Sequence, residues 1–236
     1  VNGLDLDAAG GFDNFTLVSN GLVGSEITSI APTANPNIYL VTVLTGTGDG
    51  TLRLDLTSAG AVVDLGNNSL VGTPHEGDAI FYIDRTSPVM SFTAVSPNPR
   101  QMAVDTIEIT FDSSEFVNGL TLSDFSLTLD GAPVSLSGAT FNDFFIGYYF
   151  TIDGLGAITA ADGEYVLTFN SATSVAADAA GNPIAGDASV TFVVDTVAPT
   201  ATVAEPTAGP TNAASLFFTV TFSEPVDGLD LDPTGG

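Results

Sequence analysis

"FSLTLDGAPVSL", residues 125–136, sets apolar and polar side chains alternately on both sides of an Asp-Gly pair. A period of two is the pattern of a half-buried strand. Asp-Gly supplies the positive φ that a tight hairpin turn needs. The stretch therefore predicts two antiparallel strands joined at Asp130-Gly131. The same pattern continues on either side. "VMSFTAV" (89–95) and "TIEITF" (106–111) precede it; "FFIGYYFTI" (144–152), "EYVLTF" (164–169) and "SVTFVV" (189–194) follow. No stretch carries a helical period.

Six to eight short strands in roughly 110 residues predict an antiparallel β-sandwich of immunoglobulin type. Alternation marks Phe111, Phe125, Phe150, Tyr165, Leu167, Phe169 and Phe192 as its core. In "NDFFIGYYF" (142–150), read as one strand, Phe144, Ile146, Tyr148 and Phe150 share the core face. Phe145 and Tyr149 then lie on the opposite face, as a surface that could meet a neighbouring chain or a polysaccharide.

The pattern also repeats at the scale of a whole domain. "FYIDRTSP" (81–88) returns as "FVVDTVAP" (192–199), 111 residues later. "IEITFDSSEFVNG" (107–119) returns as "FTVTFSEPVDG" (218–228), and "GDGTLRLDL" (48–56) as "ADGEYVLTF" (161–169). The opening "VNGLDLDAAGG" (1–11) matches both "EFVNGLTLSDF" (115–125) and the closing "FSEPVDGLDLDPTGG" (222–236). Pro88 and Pro199 interrupt strand pairing and mark the junctions. Three units follow: 1–88, a domain lacking its first strands; 89–199, a complete domain; and 200–236, the first strands of a further one. "ATVAEP" and "SLFFTVTF" (215–222) read as strands A and B of that last unit. Leu216, Phe217, Phe218, Val220 and Phe222 are then the side chains expected to enter a neighbouring sandwich, with copies of the chain meeting head-to-tail. The fold class expected is all-β: tandem immunoglobulin-like antiparallel β-sandwiches, split across the chain ends.

These motifs resemble a known family. "FVVDTVAPT", "FTVTFSEPV", "DFSLTLDG" and "DAAGNPIAG" are similar to the tandem bacterial Ig-like repeats of large secreted adhesins and cell-surface proteins, and the resemblance spans essentially the whole chain. It weakens in the middle of the first unit, at "LVSNGLVGSEITSIAPTANPNIYLVTVL". The resemblance implies a sandwich fold, an extracellular or cell-surface location in a bacterium, and a structural or adhesive role without a reaction.

Composition narrows the partners. The 236 residues carry 28 Asp and Glu against Arg53, Arg85 and Arg100, with no Lys, for a net charge of −25. Such a chain repels phosphate backbones, which argues against nucleic acid as a partner. No apolar run is long enough to span a bilayer. Without Cys, disulfides and thiolate chemistry are excluded. The single histidine, His75, lies in "VGTPHEGDAI" with no nucleophile motif beside it, and reads as an exposed loop residue.

The carboxylates that recur at equivalent places suggest calcium, which takes six to eight oxygens from loops. Asp84 and Asp195 end the last strand of their units. Glu115 and Glu224 follow strand B, and Asp64 and Asp178 sit in the loop before the last strand. Ca²⁺ held there would stiffen the junctions. The function expected is a non-enzymatic repeat unit of an extracellular filament or rod, joined by strand complementation or chain continuity. The alternatives are a calcium-stiffened adhesin stalk or a polysaccharide-binding module.

Overall fold

The computed structural model describes residues 4, 6, 12–57, 62–111, 116–144, 147–205 and 209–229. The protein is essentially all-β. Its strands are β1 (Phe15–Asn20), β2 (Glu26–Pro32), β3 (Tyr39–Leu44), β4 (Gly50–Leu56) and β5 (Phe81–Ile83). There follow β6 (Met90–Phe92), β7 (Ile107–Phe111), β8 (Phe125–Leu129), β9 (Ala132–Val134), β10 (Thr140–Asp143), β11 (Tyr149–Asp153), β12 (Gly163–Phe169) and β13 (Ala188–Val194). The last two are β14 (Ala201–Ala204) and β15 (Thr219–Phe222).

The eight strands β6–β13 make two four-stranded antiparallel sheets, ordered β10-β11-β7-β6 and β13-β12-β8-β9. Lettered in chain order from A to G, with β9 as C′, these are the D-E-B-A and G-F-C-C′ sheets of an immunoglobulin sandwich. The alternation along each strand explains why two sheets close on each other. Ile107, Ile109 and Phe111 of β7 face Phe125, Leu127, Tyr165, Leu167 and Phe169 in one apolar cluster. All seven aromatic and aliphatic positions expected in the core are buried. Tyr165, at the start of strand F, is fully buried and stacks on Phe192 with ring centroids 5.2 Å apart. Its hydroxyl donates back to the Ala161 carbonyl at 3.0 Å, the corner bond typical of this architecture. The Asp130-Gly131 hairpin is present, with both residues at positive φ.

One stretch folds differently from its sequence pattern. "NDFFIGYYF" is not a single strand: Asn142 and Asp143 end β10, and Tyr149 and Phe150 begin β11. Gly147 sits at φ 92, and its amide donates to the Asp143 carboxylate at 3.0 Å; a Cβ there would lie 2.8 Å from the Val117 carbonyl. Asp143 and Gly147 thus turn the chain back. Phe150 is core as expected, but Phe144 and Tyr148, placed on the same face by the alternation, are exposed. Ile146 lies outside the described residues.

Strands β1–β5 repeat part of this architecture. β4 lies between β1 and β5, with Phe15 opposite Leu56 and Leu52 opposite Phe81. The corresponding pairs in the complete sandwich are Phe125 with Phe169 and Tyr165 with Phe192. β1-β4-β5 is therefore a C-F-G sheet in the same register. β2 and β3 form a hairpin in the position of strands D and E, carrying a β-bulge between Ile27 and Ser29. Among the described residues before Met90, no A–B pair accompanies them.

That pair is found at β14 and β15. Ala201 opposes Phe222 and Val203 opposes Val220, as Met90 opposes Phe111 and Phe92 opposes Ile109. Every position is shifted by 111 residues, so β14-β15 is an A–B hairpin in unchanged register. It is shorter than its sequence pattern: β15 begins at Thr219, although the apolar run starts at Leu216.

Candidate functional site

The side chains that close the complete sandwich have open counterparts in the other two units. Ile107 and Ile109 are 2% and 0% exposed; Phe218 and Val220, at the same hairpin positions, are 57% and 51% exposed. Phe222 is half-buried, and Leu216 and Phe217 are exposed. On the other half, Phe81 is 63% exposed where Phe192 is fully buried. Phe15 and Leu17 are half-buried where Phe125 and Leu127 are core. Within the chain β15 pairs only with β14, and β3 only with β2, among the described residues. In the complete sandwich the corresponding edges pair with each other: β7 lies against β11. The two halves thus repeat the apolar positions of the closed sandwich, and each presents apolar side chains to solvent.

The acidic positions serve the loops around these halves. Asp178 is buried, and its carboxylate accepts the amides of Ala180 and Asn182 and the Asn182 side-chain amide, each at 2.8 Å. Burial alone pushes its pKa up. The Asn182 side chain and the amides of Asn182, Ala180 and Gly181 outweigh it and hold the group below the usual value. Asp64 uses the same device, accepting the Asn68 amide at 2.8 Å and its side-chain nitrogen at 2.9 Å; these bonds lower its pKa. Asp84 and Asp195 each close a small turn by accepting the amides of Thr86 (3.0 Å) and Val197 (3.2 Å). The sequence showed these aspartates recurring. Asp64 and Asp178 each precede an asparagine by four residues, in "DLGNN" and "DAAGN".

The junction between the first two units is a specific contact. Asn182 spans it, holding Asp178 with one side-chain hydrogen and donating to the Asp84 carbonyl at 3.2 Å. Beside it the Ala185 amide donates to the Pro88 carbonyl at 2.9 Å. Of the six acids expected to bind metal, Asp84 and Asp178 are thus linked through Asn182, with Asp84 contributing its backbone.

Asp195 and Glu224 meet directly at the second junction, in a cleft of about 790 Å³ also lined by Arg100 and Pro199. Burial, then the Asp195 charge and a hydrogen bond to its carboxylate, push the Glu224 pKa up. Glu115 lies outside the described residues. No group of three or more metal-ligating side chains gathers among the described residues. Asp64 and Asp178 accept several bonds from their own loops and Asp84 and Asp195 one amide each, so Asp195 with Glu224 is the acidic pair to test against calcium's six to eight oxygens.

Of the proposed surface pair, Phe145 is outside the described residues, and Tyr149 is half-buried with its ring 6.1 Å from that of Phe144. A hydrogen bond to Glu108, together with burial, raises the Tyr149 pKa. His75 is exposed, and its backbone bridges to Leu56. No family model, curated protein or solved structure matches the chain.

Proposed function

We propose that this chain is a non-enzymatic structural array of immunoglobulin-like repeats, part of an extracellular rod or filament on a bacterial surface. Its units join head-to-tail, by chain continuity or by strand complementation between copies. One observation carries the reading: the A–B hairpin occurs twice in identical register, once closed inside a sandwich and once with its apolar face open. A head-to-tail contact of this kind does not close on itself and generates an open fibre. The bridging of Asn182 to Asp84 supports a fixed angle between successive units, as a rod requires. The test is electron microscopy of the purified protein at rising concentration. Elongated particles with a regular axial repeat are expected; compact particles of constant size would count against the reading.

A second reading, a calcium-stiffened stalk, draws support from the approach of Glu224 to Asp195 across the second junction. A cation bound only to the folded junction would raise its melting temperature by mass action. Melting in calcium and in chelator separates the two: a shift abolished by Asp195→Ala supports the stalk, and identical curves leave the rod without metal.

A further inference from the structure

We infer that β14 and β15 of one copy complete the open sandwich formed by β1–β5 in a second copy, with β15 lying antiparallel beside β3. The inference rests on the array reading above and specifies its partner and register. The template is the complete sandwich, where β7 pairs with β11: Phe150 opposes Ile109, Thr151 opposes Glu108 and Ile152 opposes Ile107. β15 stands for β7 by its 111-residue shift. β3 stands for β11 because Val41-Thr42-Val43 repeats the Phe150-Thr151-Ile152 alternation, with Ile27 opposite Val43 as Phe141 is opposite Ile152. The register follows: Val41 opposes Val220, Thr42 opposes Thr219, and Val43 opposes Phe218. This sets Phe218 and Val220 over Leu52 and Phe81, filling the core that the first unit leaves open.

A separate set of contacts converges on the same arrangement. The loop 62–72 copies the loop 176–186: a bridge joins Val63 to Ser69 as one joins Ala177 to Pro183, and Gly72 and Gly186 both take positive φ. In the complete sandwich this loop makes two kinds of contact. Ala177 exchanges backbone bonds with Asn118, just after strand B, and Asn182 with Ala185 grips the junction before strand A. Transferred to the second copy, Val63 meets Asp227, the Asn68 side chain donates to the Asp195 carbonyl, and the Val71 amide donates to the Pro199 carbonyl. Leu70 and Val71, exposed at 37% and 87%, would be covered, as Ile184 already is at 5%. Hairpin and loop lie far apart in the sequence, yet both require the same partner.

The chain has no cysteine, so cross-linking is clean. Directly opposed cross-strand residues lie within disulfide reach. Thr42→Cys and Thr219→Cys are prepared in separate full-length chains, mixed and oxidised; both sites are threonines on the outer faces of their strands. A covalent dimer is expected from this mixture, and a ladder of oligomers from the double variant. Thr42→Cys mixed with Thr202→Cys, on strand A, should give at least about tenfold less dimer, since β14 is not adjacent to β3. Adding Val220→Asp to the double variant should abolish the ladder, because it sets a charge in the core to be filled. Rods that form without this cross-link would overturn the inference and leave the array reading standing. An intramolecular disulfide in monomeric double variant, or monomers at every concentration, would overturn the inference and leave only an array joined by chain continuity.

Discussion

Ile109 and Val220 occupy the same position of the same hairpin, 111 residues apart; one is fully buried and the other half exposed. The difference lies in what covers them. Ile109 has a C-F-G sheet packed over it, and among the described residues of its own chain Val220 has none. Ile109→Ala should therefore destabilise the central sandwich by about 2–5 kcal/mol, the usual cost of a core cavity. Val220→Ala should leave the melting of that sandwich within about 0.5 kcal/mol of the parent, as for a surface site. Its effect should appear only in association, read by sedimentation at rising concentration.

A polar crosslink in the core makes a measurable contribution. Thr159 is fully buried; its hydroxyl donates to the Val104 carbonyl at 2.8 Å and accepts the Val104 amide at 2.9 Å. Thr159→Val keeps the shape and strands both backbone groups, so a loss of about 1–3 kcal/mol is expected in denaturant unfolding. Thr159→Ser, which keeps the hydroxyl, should recover most of it.

Asn182 binds the buried Asp178 carboxylate and the Asp84 carbonyl of the preceding unit. Asn182→Ala removes both bonds and leaves a buried acceptor with less than its full set of donors, for an expected loss of about 1–3 kcal/mol. Amide exchange should also quicken at Ala185, whose N–H donates to the Pro88 carbonyl beside it. A loss confined to the loop, with 84–88 unaffected, would assign Asn182 to the loop alone.

Opposite pH responses are expected at the two kinds of acidic site. Asp64 and Asp178 have folded pKa values below the ordinary one, so their stabilisation is complete above that ordinary value and is lost as pH falls through the depressed one. Glu224 is raised, so the folded junction holds its proton more tightly than the unfolded chain does. Its contribution is fully present below the ordinary glutamate value and disappears as pH rises through the raised one. NMR shifts of the Asp195 and Glu224 amides should follow this titration. Glu224→Gln should flatten it; an unchanged profile would remove Asp195–Glu224 contact as the cause.

The central sandwich was legible wherever strands bury one face only. β8, β12 and β13 alternate cleanly, and the Asp130-Gly131 turn names itself. The break between β10 and β11 was hidden because Phe144 and Tyr148, which flank it, are aromatic. Phe and Tyr imitate strand composition, while the decisive Asp143 and Gly147 are two residues in a run of rings. β10 was missed with it, being only the four residues Thr140–Asp143. The 111-residue repeat was visible directly, and so was the split of strands between units. The acidic positions were located, but the loop bonds that Asp64 and Asp178 accept were not legible, since a carboxylate that closes its own loop reads the same in sequence as one that waits for a cation. The asparagine four residues on is what separates the two cases.

Hydrogen exchange of the backbone amides of β3 and β15, followed together as protein concentration rises, is the most direct test of the account. Tyr39–Leu44 and Thr219–Phe222 should exchange freely on their open edges in dilute protein and gain protection in parallel, over the same concentration range, as copies engage. The central strands β7 and β11, already paired, should not change. Protection of β3 and β15 that is present at the lowest concentration, or that never develops at any, would contradict the completion of one copy's sandwich by the next.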